Sequence, residues 1–174
     1  MIKITGALII IVSSCLIGFA AGEHEKEYIN ILLSLKRCLV IIKSEISYAY
    51  TPLIDIFARL SGMKQEEWSV FFDELSEEIT QEVPGEKDMF NMWKKICETS
   101  VICKKITAND VAELIRFGGI LGNTDREGQI DNIDMFLQSI TERISASQKG
   151  ISDKVRICRV LGVAAGFLIT ILLI

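Results

Sequence analysis

Few residue constellations in this 174-residue chain could do chemistry. The only histidine, His24, opens the run His24-Glu25-Lys26-Glu27-Tyr28. That run begins like the His-Glu-x-x-His helix, which holds zinc between two imidazoles one turn apart. Its fifth position is Tyr28, so the second ligand is missing and the run reads as a solvated charge cluster. Gly118-Gly119-Ile120-Leu121-Gly122 is glycine-rich, yet no Gly-Lys-Ser/Thr follows and no strand precedes it. A phosphate loop needs both, so close helix packing is the reading here. The carboxylate pairs Glu66-Glu67 and Glu77-Glu78 fall opposite apolar stripes, with nothing nearby to raise one pKa over the other as acid–base work requires. Cys97 and Cys103 have no second histidine to serve as base. The five cysteines (15, 38, 97, 103, 158) contain no Cys-x-x-Cys pair, which points to free thiols in a reducing compartment. The expectation is a non-enzymatic protein with no catalytic residue, metal or cofactor.

The elements that would position any site are helical. Over residues 23–48, Tyr28, Ile31, Leu32, Leu35, Leu39, Ile42 and Ile46 alternate spacings of three and four and form one stripe. Thr51 suits the cap of a short next helix, with Pro52 at its first position and Leu53, Ile56, Phe57 and Leu60 inward. A helix over about 65–82 buries Trp68, Phe71, Phe72, Leu75 and Ile79. Pro84-Gly85 breaks the chain. Another helix, about 87–99, turns Met89, Met92, Trp93 and Ile96 to one side. Thr107-Ala108-Asn109-Asp110 is a capping-box pattern with Asp in place of the usual Glu or Gln, and it opens a helix carrying Val111, Leu114, Ile115 and Phe117. No strand and no fixed repeat is legible.

The stretch 117–129 makes a corner between that helix and a long last one. Gly122 suits a left-handed helix end, Asn123 or Thr124 the next cap, and Asp125 and Glu127 the first turn, where the helix dipole favours anions. The last helix carries Ile130, Ile133, Leu137, Ile140 and Ile144. It meets no proline before the chain ends.

Both ends are apolar. Residues 4–21 carry no charge and span roughly 27 Å as a helix, enough to cross a hydrocarbon core. Residues 160–174 span roughly 23 Å, with Arg159 placed to snorkel. Lys26, Lys36, Arg37 and Lys43 follow the first segment, and Lys149, Lys154, Arg156 and Arg159 precede the second. The positive-inside rule therefore keeps the middle in the cytosol and favours a retained anchor over a cleaved signal peptide. Gly18 and Gly22 in one segment and Gly162 and Gly166 in the other form Gly-x-x-x-Gly pairs that suit helix–helix packing in the membrane. Without Lys3 the middle holds 18 basic and 23 acidic residues, about −5 (18 − 23), with no basic stripe for nucleic acid. The expected architecture is all-α. A membrane helix (1–22) precedes a cytoplasmic bundle of about six helices (23–156), and a second membrane helix (157–174) follows it.

The carrying residues Met1-Ile2-Lys3-Ile4-Thr5-Gly6-Ala7, Glu45-Ile46-Ser47-Tyr48 running into Thr51-Pro52-Leu53, Phe71-Phe72, Phe117-Gly118, Leu121-Gly122, Asp125 and Gln129 stand in an order that spans nearly the whole chain. Together with the C-terminal apolar tail, they resemble the stage III sporulation protein AB family of endospore-forming bacteria. Between about 64 and 105 the pattern is only generically helical. The resemblance implies a mother-cell protein in the membrane around the forespore, part of a secretion-like channel or feeding apparatus. The family is also similar to the cytoplasmic domain of the inner-membrane platform protein of type II secretion and pilus systems. By that analogy a cytosolic secretion-type ATPase, stage III sporulation protein AA, would dock on the bundle alongside other channel proteins. Residues Glu66, Glu67, Asp73, Glu74, Glu77 and Glu78 are the candidate acidic face for it, and a homo-oligomer is left open. A regulatory or sensory membrane protein whose bundle binds a ligand or signalling partner is the alternative.

Overall fold

The computed structural model describes residues 25–64, 66–81 and 89–173, and the side chains of these except 81, 122, 123 and 151–173. Among the described residues there are six α-helices and no strand. Helix α1 covers 25–44 and widens into a π-helical turn, Glu45–Ala49. Then come α2 (Leu53–Ser61), α3 (Ser69–Gln81) and α4 (Met89–Thr99), a 3-10 turn at Cys103–Lys105, α5 (Ala108–Asn123) and α6 (Arg126–Leu173).

Contacts divide the chain into two units. The unit Asn30–Glu142 is the bundle. In it α2 packs on α3, α3 on α4 and α4 on α5. On α1 the stripe read from periodicity is the buried one: Ile31, Leu32, Leu35, Leu39, Ile42 and Ile46 are all covered, joined by Cys38 and Ser34, while Tyr28 is half-exposed. Aromatic rings run through the core. Trp68 meets Phe71 at 5.4 Å, Phe71 meets Trp93 at 5.2 Å, Trp93 meets Phe117 at 6.0 Å, and Phe117 stacks on Phe136 at 4.7 Å. Most of these meet edge to face, as their quadrupoles favour, and Phe57 of α2 joins through Phe72 at 5.7 Å. Each buried indole N–H finds a carbonyl: Trp68 Nε1 donates to Ile31 O and Trp93 Nε1 to Leu114 O, both at 2.9 Å. Burial without those bonds would cost the desolvation of the N–H.

Helices α5 and α6 form an antiparallel hairpin. Gln129 Nε2 donates to Leu121 O (2.8 Å) and Asn132 Nδ2 to Phe117 O (3.1 Å). On α6, Phe136 is buried beside Ile133 and Ile140, and Ile130 and Leu137 are only half-covered. The inward face is thus rotated slightly from the expected stripe. Lys43 of α1 pairs with Asp134 of α6 at 2.6 Å. In the other unit α6 continues unbroken from Arg143 to Leu173. Among the described residues no helix is long and apolar enough to cross a membrane. Segment 4–21, His24, Gly18 and Gly22 lie outside the described residues, and Gly162 and Gly166 lie beyond the described side chains.

Candidate functional site

Two of the singled-out segments, 45–53 and 117–129, meet in space at an elbow. At the end of α1 the π-helical turn Glu45–Ala49 closes on Tyr50, whose φ of 55° and ψ of 29° are left-handed. It is the one non-glycine residue with positive φ among those described. A widened turn at a helix end leaves carbonyls without intrahelical donors. Arg126, at the start of α6, supplies them: its Nε donates to Ile46 O at 2.9 Å and its Nη2 to Ser47 O. The same guanidinium lies 4.0 Å from the centroid of the Tyr50 ring, a cation–π contact. Tyr48 and Tyr50 are 85 % and 71 % exposed.

Beneath them Glu45 receives Arg59 of α2 on one oxygen and the Thr51 hydroxyl on the other, at 2.7 Å. Thr51 therefore does not cap α2, contrary to expectation. Its hydroxyl is drawn to a carboxylate, a stronger acceptor than the backbone can match. Pro52 is not the first helical residue either. With ψ of 144° it takes the cap position and its carbonyl accepts from Asp55 N and Ile56 N.

The far side of the elbow also differs from expectation by one residue. Helix α5 continues through Gly122 to Asn123, and the chain leaves through an extended Thr124, with φ of −116° and ψ of 162°. Neither Asn123 nor Thr124 is the cap of α6. Thr124 Oγ1 donates back to Ile120 O (2.8 Å), and Asp125 caps, its Oδ1 accepting from Gly128 N at 3.0 Å. A carboxylate facing the positive end of the helix dipole is the better acceptor there. Gly118 lies in the core, where an added Cβ would overlap the ring of Trp93; the glycine-rich run is helix packing. Arg126 was not among the expected residues. The available signal was a cation in a first helical turn, set against the dipole and between Asp125 and Glu127.

The six carboxylates expected to form an acidic face are divided by the fold. Glu66 accepts two bonds from Arg37 (2.8 and 2.9 Å) and one from the buried Ser34 hydroxyl (2.6 Å). Arg37 beside it holds the Glu66 carboxyl below the usual range. Glu66 is thus a clamp between α1 and the turn before α3, with its side chain 15 % exposed. Glu78 is paired with Lys95 of α4. Glu74 is half-buried, with one oxygen buried and without a hydrogen-bond partner among the described residues. Glu67, Asp73 and Glu77 are exposed. On α3 exposed Val70 precedes Asp73 and Glu77 at spacings of three and four, so the three share a face.

Comparison with known proteins covers nearly the whole chain. The family model described as Stage III sporulation protein AB covers residues 3–174. The chain belongs to the stage III sporulation protein AB family. A relative in Bacillus subtilis (strain 168), Stage III sporulation protein AB, is 24 % identical over 174 residues, with 99 % of each chain aligned. A solved structure of Stage III sporulation protein AB has a TM-score of 0.61 to this chain at 20 % identity, covering 72 % of this chain and 97 % of its own. That likeness shows the fold, and family membership carries a role in sporulation.

The thiols of this family member fill space. Cys38, Cys97 and Cys103 are free and buried. Burial pushes the Cys38 thiol up to about 12. A hydrogen bond with Cys103, then burial, raises Cys97 as well. Thiols held protonated are poor nucleophiles.

Proposed function

We propose that this chain is a non-enzymatic membrane component of the sporulation secretion-like channel, or feeding apparatus, and is required for spore formation. It acts there as an inner-membrane platform. Apolar segments at residues 4–21 and 160–174 anchor both ends in the mother-cell membrane around the forespore, with the bundle in the cytosol. The bundle docks a cytosolic secretion-type ATPase, stage III sporulation protein AA. The observation that carries this reading is the exposed Val70–Asp73–Glu77 face on α3. Its two carboxylates are left over after the fold has used Glu66 and Glu78, on a rigid all-α member of a sporulation family. An apolar contact flanked by free acids suits a basic partner patch, with steering that weakens as salt rises.

The test is binding of the detergent-solubilised full-length chain to that ATPase at low and moderate salt. Salt-sensitive binding is expected, with at least a tenfold loss in the Asp73→Lys, Glu77→Lys double variant. Absence of binding by a folded chain at both salts would overturn the docking role.

A further inference from the structure

The carbonyls of Ile46 and Ser47 have two possible sets of donors, and the elbow uses the distant one. In an α-helix each N–H serves the carbonyl four residues back. Tyr50 N would then donate to Ile46 O, and Thr51 N to Ser47 O. Here both N–H groups turn to Glu45 O instead, Thr51 N at 3.4 Å. Arg126 serves the two vacated carbonyls in their place. Each N–H belongs to one register at a time, so the two arrangements are alternatives.

The arrangement seen carries strain. A left-handed conformation costs tyrosine what it does not cost glycine, and π-helical turns are rare and recur at functional positions. A strained turn persists only where its surroundings hold it. Two groups do so here. The Arg126 guanidinium lies 4.0 Å from the Tyr50 ring centroid. The Thr51 hydroxyl reaches Glu45 Oε2 at 2.7 Å, a contact that an α-helical register would pull apart. The other register is open to the chain. Tyr48, Ala49 and Tyr50 are exposed and free to turn, and Pro52 stops an α-helix only from Thr51 onward.

We infer that residues 45–50 form a two-state latch, a π-helical turn with Arg126 docked and an α-helical turn with Arg126 withdrawn. Arg126 stands at the head of α6, whose first turns are bonded to α5 through Gln129 and Asn132. A displacement of the α5–α6 hairpin is thereby passed to the end of α1, as a reorientation of Tyr48 and Tyr50.

The chain holds three tyrosines, two in the latch and Tyr28 on α1 as an internal control. The full-length chain, labelled with carbon-13 and nitrogen-15 at tyrosine and solubilised in detergent, gives three backbone NMR signals. Their shifts separate left-handed, α-helical and unfolded residues. In the parent, Tyr50 is expected at its left-handed position. In Arg126→Gln at least half of the Tyr50 signal is expected at the α-helical position, with Tyr48 shifted and Tyr28 unmoved. Adding Tyr50→Gly removes the cost of the left-handed state, so Tyr48 is expected to return to its position in the Tyr50→Gly single variant. A Tyr50 signal unmoved by Arg126→Gln would overturn the latch. So would Tyr48 and Tyr50 at unfolded positions beside a helical Tyr28, which is a frayed helix end. If Tyr28 is lost as well, Arg126→Gln has unfolded the chain and Thr51→Val decides. That variant frees Glu45 with Arg126 in place and is expected to give a second, α-helical Tyr50 signal; a single left-handed signal would overturn the latch.

Discussion

Gly118 shows how one missing methyl can organise a core. The indole of Trp93 lies where a Cβ at position 118 would stand, and its Nε1 is committed to Leu114 O on the same helix. Alanine there must push a fully buried ring that also touches Phe57, Phe71 and Phe117. Overpacking of this kind is expected to cost about 3 kcal/mol and to lower Tm by roughly 6–12 °C, measured by thermal denaturation in detergent. Glu66 gives a second residue-scale prediction, this one in pH. Its carboxyl is held low by Arg37, so the folded state keeps it charged at a pH where the unfolded chain has begun to protonate it. The stabilisation is complete above the ordinary glutamate value of about 4.3 and fades as pH falls through the lower folded value. Arg37 is 56 % exposed and partly screened. Glu66→Gln is therefore expected to destabilise by only about 1–2 kcal/mol at pH 7. In denaturant titrations the gap between variant and parent should close below about pH 4; a gap that widens there would refute the clamp.

At the scale of elements, helix ends carry the specificity. Thr107 and Asp110 form a reciprocal capping box: Asp110 N donates to Thr107 Oγ1 (3.2 Å) and Thr107 N to Asp110 Oδ2 (3.0 Å). Asp125 does the corresponding work for α6 through Gly128 N. Asp125→Ala is expected to cost about 1 kcal/mol, whereas Thr124→Ala, which loses only a bond back to Ile120 O, should cost less than half of that. Comparing the two by chemical denaturation distinguishes the observed cap from the neighbouring one. Arg126 spans elements, and its removal leaves the carbonyls of Ile46 and Ser47 without that donor. Hydrogen exchange in 45–51 is expected to accelerate in Arg126→Gln while α3 and α4 keep their protection.

At the scale of the molecule, the unit Asn30–Glu142 is one bundle whose helices share a chain of aromatic rings. Charge substitutions on it should therefore sort into two kinds. Reversal at Asp73 and Glu77 should weaken partner docking, with Tm unchanged within about 1–2 °C, because exposed sites away from packing contribute little to stability. Reversal at Glu66 should do the opposite, unfolding the clamp on α1 before any partner is involved. A partner-binding series read beside a Tm series separates them. If Glu66 and Asp73 behaved alike in both, the division of the acidic residues would be wrong.

Helix period and the capping box at Thr107 were legible in the chain because they are local, whereas the caps of α2 and α6 were not. The stripe on α1, the burial of Trp68, Phe71, Phe72 and Trp93, the capping box at Thr107 and the all-α class all follow from spacing and side-chain chemistry within a few residues. The resemblance to the family was legible for the same reason, as short runs in a fixed order, and the family model over residues 3–174 bears it out. Which acid is free and which is clamped was not legible, because Glu66 answers to Ser34 and Arg37, 32 and 29 residues away. Nor was the elbow: the carbonyls of its π-helical turn are completed by Arg126, 80 residues along the chain from Ile46. A cap or turn is decided by the acceptor nearest in space, and only the packed bundle brings a distant donor nearer than a neighbour in sequence.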